Sequence, residues 1–208
     1  TISTNKMPEF KDGALGSKKN TIHLLDPVYA AEFVKEHGEN YNGVMITAEE
    51  AEAAVTATIN GKAAEGESFQ AAIEAAGIDA ADVATIEFDS GNVTSEGLAY
   101  IKANCKELES FKLNLSETLK FDEGSTVLPS NAFKNMESLE TIELGGFTEL
   151  GSYSLAEPKS LANVFIPDVV KVGPYAFQQA YFDANTGKGV ALKSFDLPNV
   201  ETISNYAF

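Results

Sequence analysis

The sequence predicts an α/β fold, a solenoid of short parallel strands with an N-terminal helical cap. The first observation is a block of residues that occurs three times between Leu139 and Phe208. The second is that a closing apolar residue follows the opening leucine by sixteen positions in every block, at Leu155, Phe177 and Phe208. Because one block cannot bury its apolar side chains alone, we expect the blocks to stack and to share one core.

Each block is predicted to begin with a short strand and to continue into turns. Its first six residues read apolar-x-x-apolar-x-apolar, as in Leu161–Ile166, so the last two apolar side chains share one face. Apolar residues then recur at three-residue steps, which suit turns or 3₁₀ segments. Successive blocks begin 22 and then 31 residues apart, and the excess falls near Tyr181–Val190. We therefore predict a projecting loop at Asp183–Gly189.

The residues that end each block indicate which family of repeats the sequence resembles. The best example is Leu161–Phe177, with Ile166-Pro167 and the ending Val172-Gly-Pro-Tyr-Ala-Phe177, and a related ending occurs at Leu128–Phe133. A period near 22 residues with this ending resembles the BspA-like leucine-rich repeats of bacterial cell-surface proteins. The resemblance is strongest over Leu108–Phe208, and it implies a right-handed leucine-rich-repeat solenoid.

The chain divides into three predicted regions. Residues 1–47 are predicted to be a linker or tail with a short helix, and residues 48–82 the N-terminal helical cap. Residues 83–208 are the solenoid, which stops within a repeat. Since solenoids need capped ends, we expect further repeats or another domain to follow Phe208.

Local signals set the predicted helices of the first two regions. Asp26-Pro27 begins a helix that ends at His37 before Gly38. Thr47–Glu50 has the pattern of a capping box and is predicted to open a second helix. Asn60-Gly61 marks a turn. Ser68 caps a third helix, with Gly77 as its stop.

A helix is predicted between the first two strands of the solenoid. The strands are Val83–Phe88 and Leu108–Leu113, and the helix opens at Thr94. Residues 114–127 carry an insertion, because this coil is about nine residues longer than the later ones. Cys105 lies on the apolar side of the helix and is predicted to be a core residue rather than a nucleophile.

Composition excludes several classes of partner. The chain has 31 acidic and 15 basic residues and a net charge of −16, and every basic residue is lysine. It lacks the clustered positive charge that nucleic acid or an anionic membrane surface requires. No apolar run is long enough to span a membrane. The chain begins at Thr1 without a signal peptide, so we expect an extracellular or cell-surface protein whose signal peptide has been removed.

No catalytic motif is recognisable. The sequence has no glycine-rich phosphate loop, no zinc-type spacing of His and Cys, and no Ser between the glycines of a nucleophile elbow. Asp183-x-Asn185-x-Gly187 only partly matches a calcium loop, because the later acidic ligand is missing. We therefore predict no enzymatic activity, no cofactor and no metal.

Two surfaces are candidate binding sites. Residues between the core positions of the strands point to the concave side, and a Tyr precedes each closing apolar residue by two positions. An exposed Phe165 would anchor a partner, or it would pack against a neighbouring coil. The Tyr ladder would bind a sugar or a protein if exposed, whereas half-buried rings would indicate only packing between coils. The candidate residues are Thr141, Glu143, Asn163, Phe165, Ser194 and Asp196 on the concave face, and Tyr153, Tyr175 and Tyr206 in the ladder.

The resemblance implies a non-enzymatic adhesion protein at a bacterial surface. Its partners would be proteins, among them host matrix proteins or other bacterial surface proteins. Two alternatives remain at this point: a structural spacer that presents another domain, and a carbohydrate-binding module.

Overall fold

A computed structural model describes residues 2–4, 20–24, 27–37, 40–41, 44–48, 54–180 and 194–208 of the chain. The predicted loop at Asp183–Gly189 lies outside these residues. The chain forms two compact units, Thr1–Glu52 and Ala53–Phe208.

The first unit contains a small sheet and one helix. Its strands occur in the order β1-β2-β4-β3, in which β2 pairs in parallel with β1 and β4, and β3 is antiparallel to β4. The prediction of a linker or tail over residues 1–47 did not anticipate these strands. The elements are β1 (Ile2–Thr4), β2 (Asn20–Leu24), α1 (Pro27–His37), β3 (Asn40–Tyr41) and β4 (Val44–Ala48).

The helix α1 has the predicted bounds, whereas the helix predicted from Thr47 is wrong where the structure describes it. Thr47 and Ala48 end β4 instead. The apolar and β-branched run Val44–Ile46 favours an extended backbone, and this preference overrides the capping-box pattern. Residues 49–53 lie outside the described part of the chain.

The second unit begins with a hairpin and a helix. Strands β5 (Val55–Ile59) and β6 (Lys62–Gly66) are antiparallel and are joined by Asn60-Gly61, both with positive φ. This is the turn that the sequence predicts, because Asn and Gly adopt the left-handed conformation most readily. The helix α2 (Phe69–Ala75) follows, and the Ser68 hydroxyl accepts a hydrogen bond from the Ala71 N–H as the predicted N-cap.

The region predicted to be the N-terminal helical cap, residues 48–82, is helical only in part where the structure describes it. In β5 the side chains of Val55, Ala57 and Ile59 are buried, and the two threonines between them are half-buried. This alternation has the two-residue period of a strand, and β5 pairs antiparallel with the first strand of the repeats. The alanine-rich composition of residues 48–82 favoured a helical prediction, but the alternation decides the local structure.

One parallel sheet, hereafter the first ladder, runs through the repeats. Its parallel part runs from β7 to β15, and each of these strands is in register with the next, while β5 pairs antiparallel with β7 at the edge of the sheet. The helix α3 (Ser95–Asn104) follows β7, with Thr94 as its predicted N-cap. The strands are β7 (Thr85–Val93), β8 (Ser110–Lys112), β11 (Thr141–Glu143), β13 (Asn163–Phe165) and β15 (Ser194–Asp196).

A second parallel ladder joins the strands that follow the turns. The three-residue steps predict turns or 3₁₀ segments here, yet each of these stretches contributes a two-residue strand. The insertion at residues 114–127 adds a further strand that pairs with the end of β7. The further strand is β9 (Leu119–Phe121). The strands of the second ladder are β10 (Val127–Leu128), β12 (Glu149–Leu150), β14 (Lys171–Val172) and β16 (Thr202–Ile203).

Where the structure describes it, the third side of the later coils has no strands but is still hydrogen-bonded to the neighbouring coil. The Leu155 N–H donates to the Ala176 carbonyl at 2.8 Å, and the Phe177 N–H donates to the Ala207 carbonyl at 2.6 Å. From the coil that contains Phe133 onward, the described coils are thus hydrogen-bonded to the next on three sides, which satisfies the polar backbone around a continuous core.

The core of the second unit extends along the stack. Phe69, Phe88, Phe111 and Phe133 form a chain of ring contacts, with centroids between 4.7 and 5.8 Å apart. Cys105 is fully buried in this core, as predicted, and burial raises the pKa of its thiol to about 11. A thiol with this pKa is almost entirely protonated at neutral pH, so Cys105 is unsuited to act as a nucleophile.

Candidate functional site

Two columns of residue positions run along the first ladder, one residue from each strand, and we call them the strand face. The parallel register places residues of equivalent repeat position side by side in successive coils, as the repeat offsets predict. The inward residues between them, among them Ile86, Ile142 and Val164, are buried. The columns are Thr85, Ser110, Thr141, Asn163 and Ser194, and Glu87, Lys112, Glu143, Phe165 and Asp196.

A lysine between two glutamates organises the first part of the strand face. The Lys112 ammonium lies 2.9 Å from the Glu87 carboxylate and 3.8 Å from that of Glu143. The hydrogen bond to Glu87, and then the charge of Glu143, raise the pKa of the Lys112 amine. Lys112 is therefore a fixed cation that partly neutralises both carboxylates.

Asn114 holds Glu143 in place, and the sequence patterns did not single it out. Its amide nitrogen donates to a Glu143 carboxylate oxygen at 2.6 Å, while its carbonyl oxygen accepts from the Gly145 N–H at 2.7 Å. A side chain at position 145 would also collide with this amide, since a Cβ there would lie 2.9 Å from the Asn114 oxygen. Asn114 lies just beyond a strand, where the repeat pattern gives no signal.

The middle of the strand face is polar and ordered, apart from one aromatic ring. The Asn163 amide donates to the Thr141 hydroxyl at 3.3 Å, which links the first column across two coils. Phe165 is 54% exposed, although it lies between Glu143 and Asp196 in the second column. The exposed ring of Phe165 therefore stands in a column whose other members are all charged.

The last coil completes both columns. Ser194 pairs in register with Asn163, and Asp196 with Phe165. Asp196 is exposed. The structure thus brings together the backbones of all six candidate residues of the concave face in three adjacent strands.

The three tyrosines form a continuous stack. The centroids of Tyr153 and Tyr175 lie 4.8 Å apart with an interplanar angle of 3°, and those of Tyr175 and Tyr206 lie 5.2 Å apart at 12°. The Lys134 ammonium lies 4.7 Å from the Tyr153 centroid. Tyr153 and Tyr175 are half-buried, whereas Tyr206 is 71% exposed.

This geometry leaves little aromatic surface for a sugar. A carbohydrate stacks on the face of a ring, but both faces of Tyr175 are covered by its neighbours. The faces of Tyr153 are shared between Tyr175 and Lys134. The ladder therefore favours packing between coils as the role of Tyr153 and Tyr175.

A polar cavity of about 350 Å³ lies beside α3. Two lysines and two glutamates line it, so it has no net charge that would select an ion. Burial, and then the charge of Lys134, lower the pKa of Lys102, whose amine donates to the Asn131 carbonyl at 2.7 Å. Since its amine already has a backbone partner, Lys102 has a structural role here.

Comparison with known protein families identifies the type of the repeats. The family model described as BspA type leucine rich repeat region matches residues 100–183 in six copies. Residues 100–183 therefore belong to the BspA-like leucine-rich repeat family. No curated protein and no solved structure matches the chain significantly.

Leucine-rich repeats of this type are scaffolds for interactions and are typically not enzymes. In the part of the chain that the structure describes, no helix is long and apolar enough to cross a membrane. Among the same residues, no three His, Cys, Asp or Glu side chains are grouped so as to hold a metal ion.

Proposed function

We propose that the chain is a non-enzymatic binding module of an extracellular or cell-surface protein, and that it recognises a protein partner through the strand face. The observation that carries the proposal is the exposed ring of Phe165 in the middle of a rigid polar sheet. Protein interfaces are built in this way, with an aromatic anchor at the centre and polar groups around it.

Rigidity supports the same conclusion. The backbone of the strand face is held by parallel pairing on both sides of β11 and β13. The side chains of Asn163 and Asn114 form hydrogen bonds to their neighbours. A preorganised surface loses little conformational entropy on binding, so more of the contact energy contributes to affinity.

The biological role that we propose is bacterial adhesion, with host matrix proteins or surface proteins of other bacteria as partners. This role follows from the family resemblance of the repeats, and the acidic surface suits an exported protein that must remain soluble. We propose that the Tyr ladder packs neighbouring coils together and is not a second binding site.

The proposal is tested by binding the chain to purified matrix proteins on a biosensor surface, in parallel with the Phe165→Ala variant. We expect saturable binding to at least one protein, weakened about tenfold or more by the substitution, as for a central aromatic anchor. Val170→Ala, at another exposed apolar residue away from the strand face, should bind as the natural chain does. Binding that is unchanged in Phe165→Ala would exclude the strand face.

A further inference from the structure

The apolar part of the strand face extends beyond Phe165. Pro167 lies two residues further along the same coil and is exposed, and Pro198 occupies the equivalent position in the next coil and is also exposed. The Asn199 amide donates to the Pro167 carbonyl at 2.8 Å, which fixes the two turns against each other. Phe165, Pro167 and Pro198, hereafter the apolar patch, therefore form one rigid surface.

Carboxylates lie on both sides of this patch. Glu143 and Asp196 are the register neighbours of Phe165 in the adjacent strands. The second column contains three carboxylates and only one ammonium group, that of Lys112. Lys112 is closest to Glu87, at 2.9 Å, and lies 3.8 Å from Glu143.

The negative charge near the patch is not balanced within the described residues. Asp196 forms no ion pair with any of them, and Glu143 shares its lysine with Glu87. The second ladder differs, because there Glu149 and Lys171 pair directly at 2.7 Å. The imbalance is thus a property of the strand face at Phe165, beyond the general acidity of the chain.

Taking the protein-binding function as its basis, we propose that the apolar patch binds a segment of a partner protein in which an apolar side chain is flanked by lysine or arginine. The apolar side chain packs on Phe165 and Pro167. The flanking cations pair with Asp196 and Glu143, and a guanidinium can also lie over the Phe165 ring.

Charge complementarity selects this occupant over others. An acidic segment would meet repulsion from two carboxylates. A neutral one would leave Asp196 without a cation and Glu143 with only the lysine that it shares with Glu87, as water is excluded around the ring. A basic segment without an apolar residue would leave the patch uncovered. A segment with both features matches all the groups that the surface presents.

The test uses a phage library of random twelve-residue peptides selected on the immobilised 208-residue chain, with counter-selection on its Phe165→Ala variant. We expect enriched peptides to carry Lys or Arg within two positions of an aromatic or aliphatic residue. The best peptide is then synthesised, and its affinity for the chain and its variants is measured by calorimetry.

For that peptide we expect Phe165→Ala to weaken binding about tenfold or more, and Asp196→Asn about three- to tenfold. Raising NaCl from about 50 to 300 mM should weaken binding several-fold, because the ion pairs are at the surface. Val170→Ala and Glu201→Gln are the matched controls, since both residues are exposed and lie outside the strand face. Both should change affinity by less than about twofold.

The possible results distinguish failure of the basic-apolar segment from failure of protein binding at Phe165. Enriched peptides without basic residues, or an unchanged affinity in Asp196→Asn, would refute the basic-apolar segment but leave protein binding at Phe165 intact. Peptides that bind Phe165→Ala as tightly as the natural chain would refute both. A library that yields no enriched peptide would also refute recognition of a short segment, while leaving the matrix-protein assay to test the proposed function.

Discussion

The Lys112 ammonium lies 2.9 Å from the Glu87 carboxylate in the neighbouring strand of the first ladder. With Glu143 on its other side, it connects three consecutive coils. Because its side chain is 38% exposed, solvent screens these ion pairs. Replacing it by methionine should lower the free energy of unfolding by about 0.5 kcal/mol, within the range of surface ion pairs.

The effect of Lys112→Met should depend on pH in a defined direction. The pKa of Lys112 is raised above its ordinary value of 10.5, so the folded state holds the proton more tightly than the unfolded state. The stabilisation is therefore complete below that value and is lost as pH rises through the higher folded pKa. Urea unfolding at neutral pH and above pH 10.5 checks this, with Lys120→Met as the control. A difference that grows with pH would contradict the assignment.

Ser154 has a buried hydroxyl without a partner. Its side chain is 0% exposed and its Oγ forms no hydrogen bond, whereas the equivalent positions in three other coils are the buried alanines Ala132, Ala176 and Ala207. Because an unsatisfied buried hydroxyl costs about 1–3 kcal/mol, Ser154→Ala should stabilise the chain by about 1 kcal/mol in denaturant unfolding. The exposed Ser130→Ala should have no effect. A loss of stability in Ser154→Ala would show that the hydroxyl has a partner, such as a buried water.

The repeat offsets predicted the columns of the strand face because a parallel ladder fixes which residues are neighbours. Asn163, Phe165 and Asp196 lie where equal spacing places them. The offsets could not predict which neighbours form contacts. Asn114 reaches Glu143 through its rotamer and a turn, and neither of these is encoded in the periodicity.

The cap was harder to predict from sequence because two signals conflict there. Alanine favours helix, but Val55, Ala57 and Ile59 alternate with threonines and precede an Asn-Gly turn. Tertiary pairing with β7 resolves the conflict in favour of a strand. Local propensity alone could not include that partner, because β7 begins 26 residues after β5 ends.

Gly91 allows the hairpin of the cap to approach the first repeat. Its φ is +99°, and a Cβ there would lie 2.4 Å from the Ala54 carbonyl oxygen. Gly91→Ala should therefore lower the free energy of unfolding by about 3 kcal/mol or more, because backbone must move as well as adopt a strained φ.

The matched control is Gly61→Ala in the β5–β6 turn. Gly61 also has a positive φ, of +75°, but a Cβ there would meet nothing within 4 Å. Gly61→Ala should therefore lower the free energy of unfolding only by the strain of the left-handed backbone, about 1–2 kcal/mol. Thermal unfolding of Gly91→Ala and Gly61→Ala separates steric overlap from backbone strain. Equal losses of stability in the two variants would refute the close approach of the hairpin.

Tyr175 adopts a backbone conformation that tyrosine seldom occupies. Its φ is 58°, and Asn131 has a φ of 62° at the equivalent position of an earlier coil. Left-handed conformation costs a residue other than Gly, Asn or Asp about 1–2 kcal/mol, and stacking between Tyr153 and Tyr206 offsets that cost. Tyr175→Ala removes the stacking and keeps the strain, so the chain should lose about 2 kcal/mol of stability.

Tyr175→Asn should restore about 1 kcal/mol relative to Tyr175→Ala, because asparagine tolerates the left-handed backbone. Gln179→Asn isolates the backbone contribution, since Gln179 has a φ of 59° and no aromatic ring. Urea unfolding of the three variants measures each contribution. If Tyr175→Ala and Tyr175→Asn were equally unstable, backbone strain would not be part of the balance. If neither lost stability, the Tyr ladder would contribute nothing to holding the coils together, and its rings would again be candidates for binding a ligand.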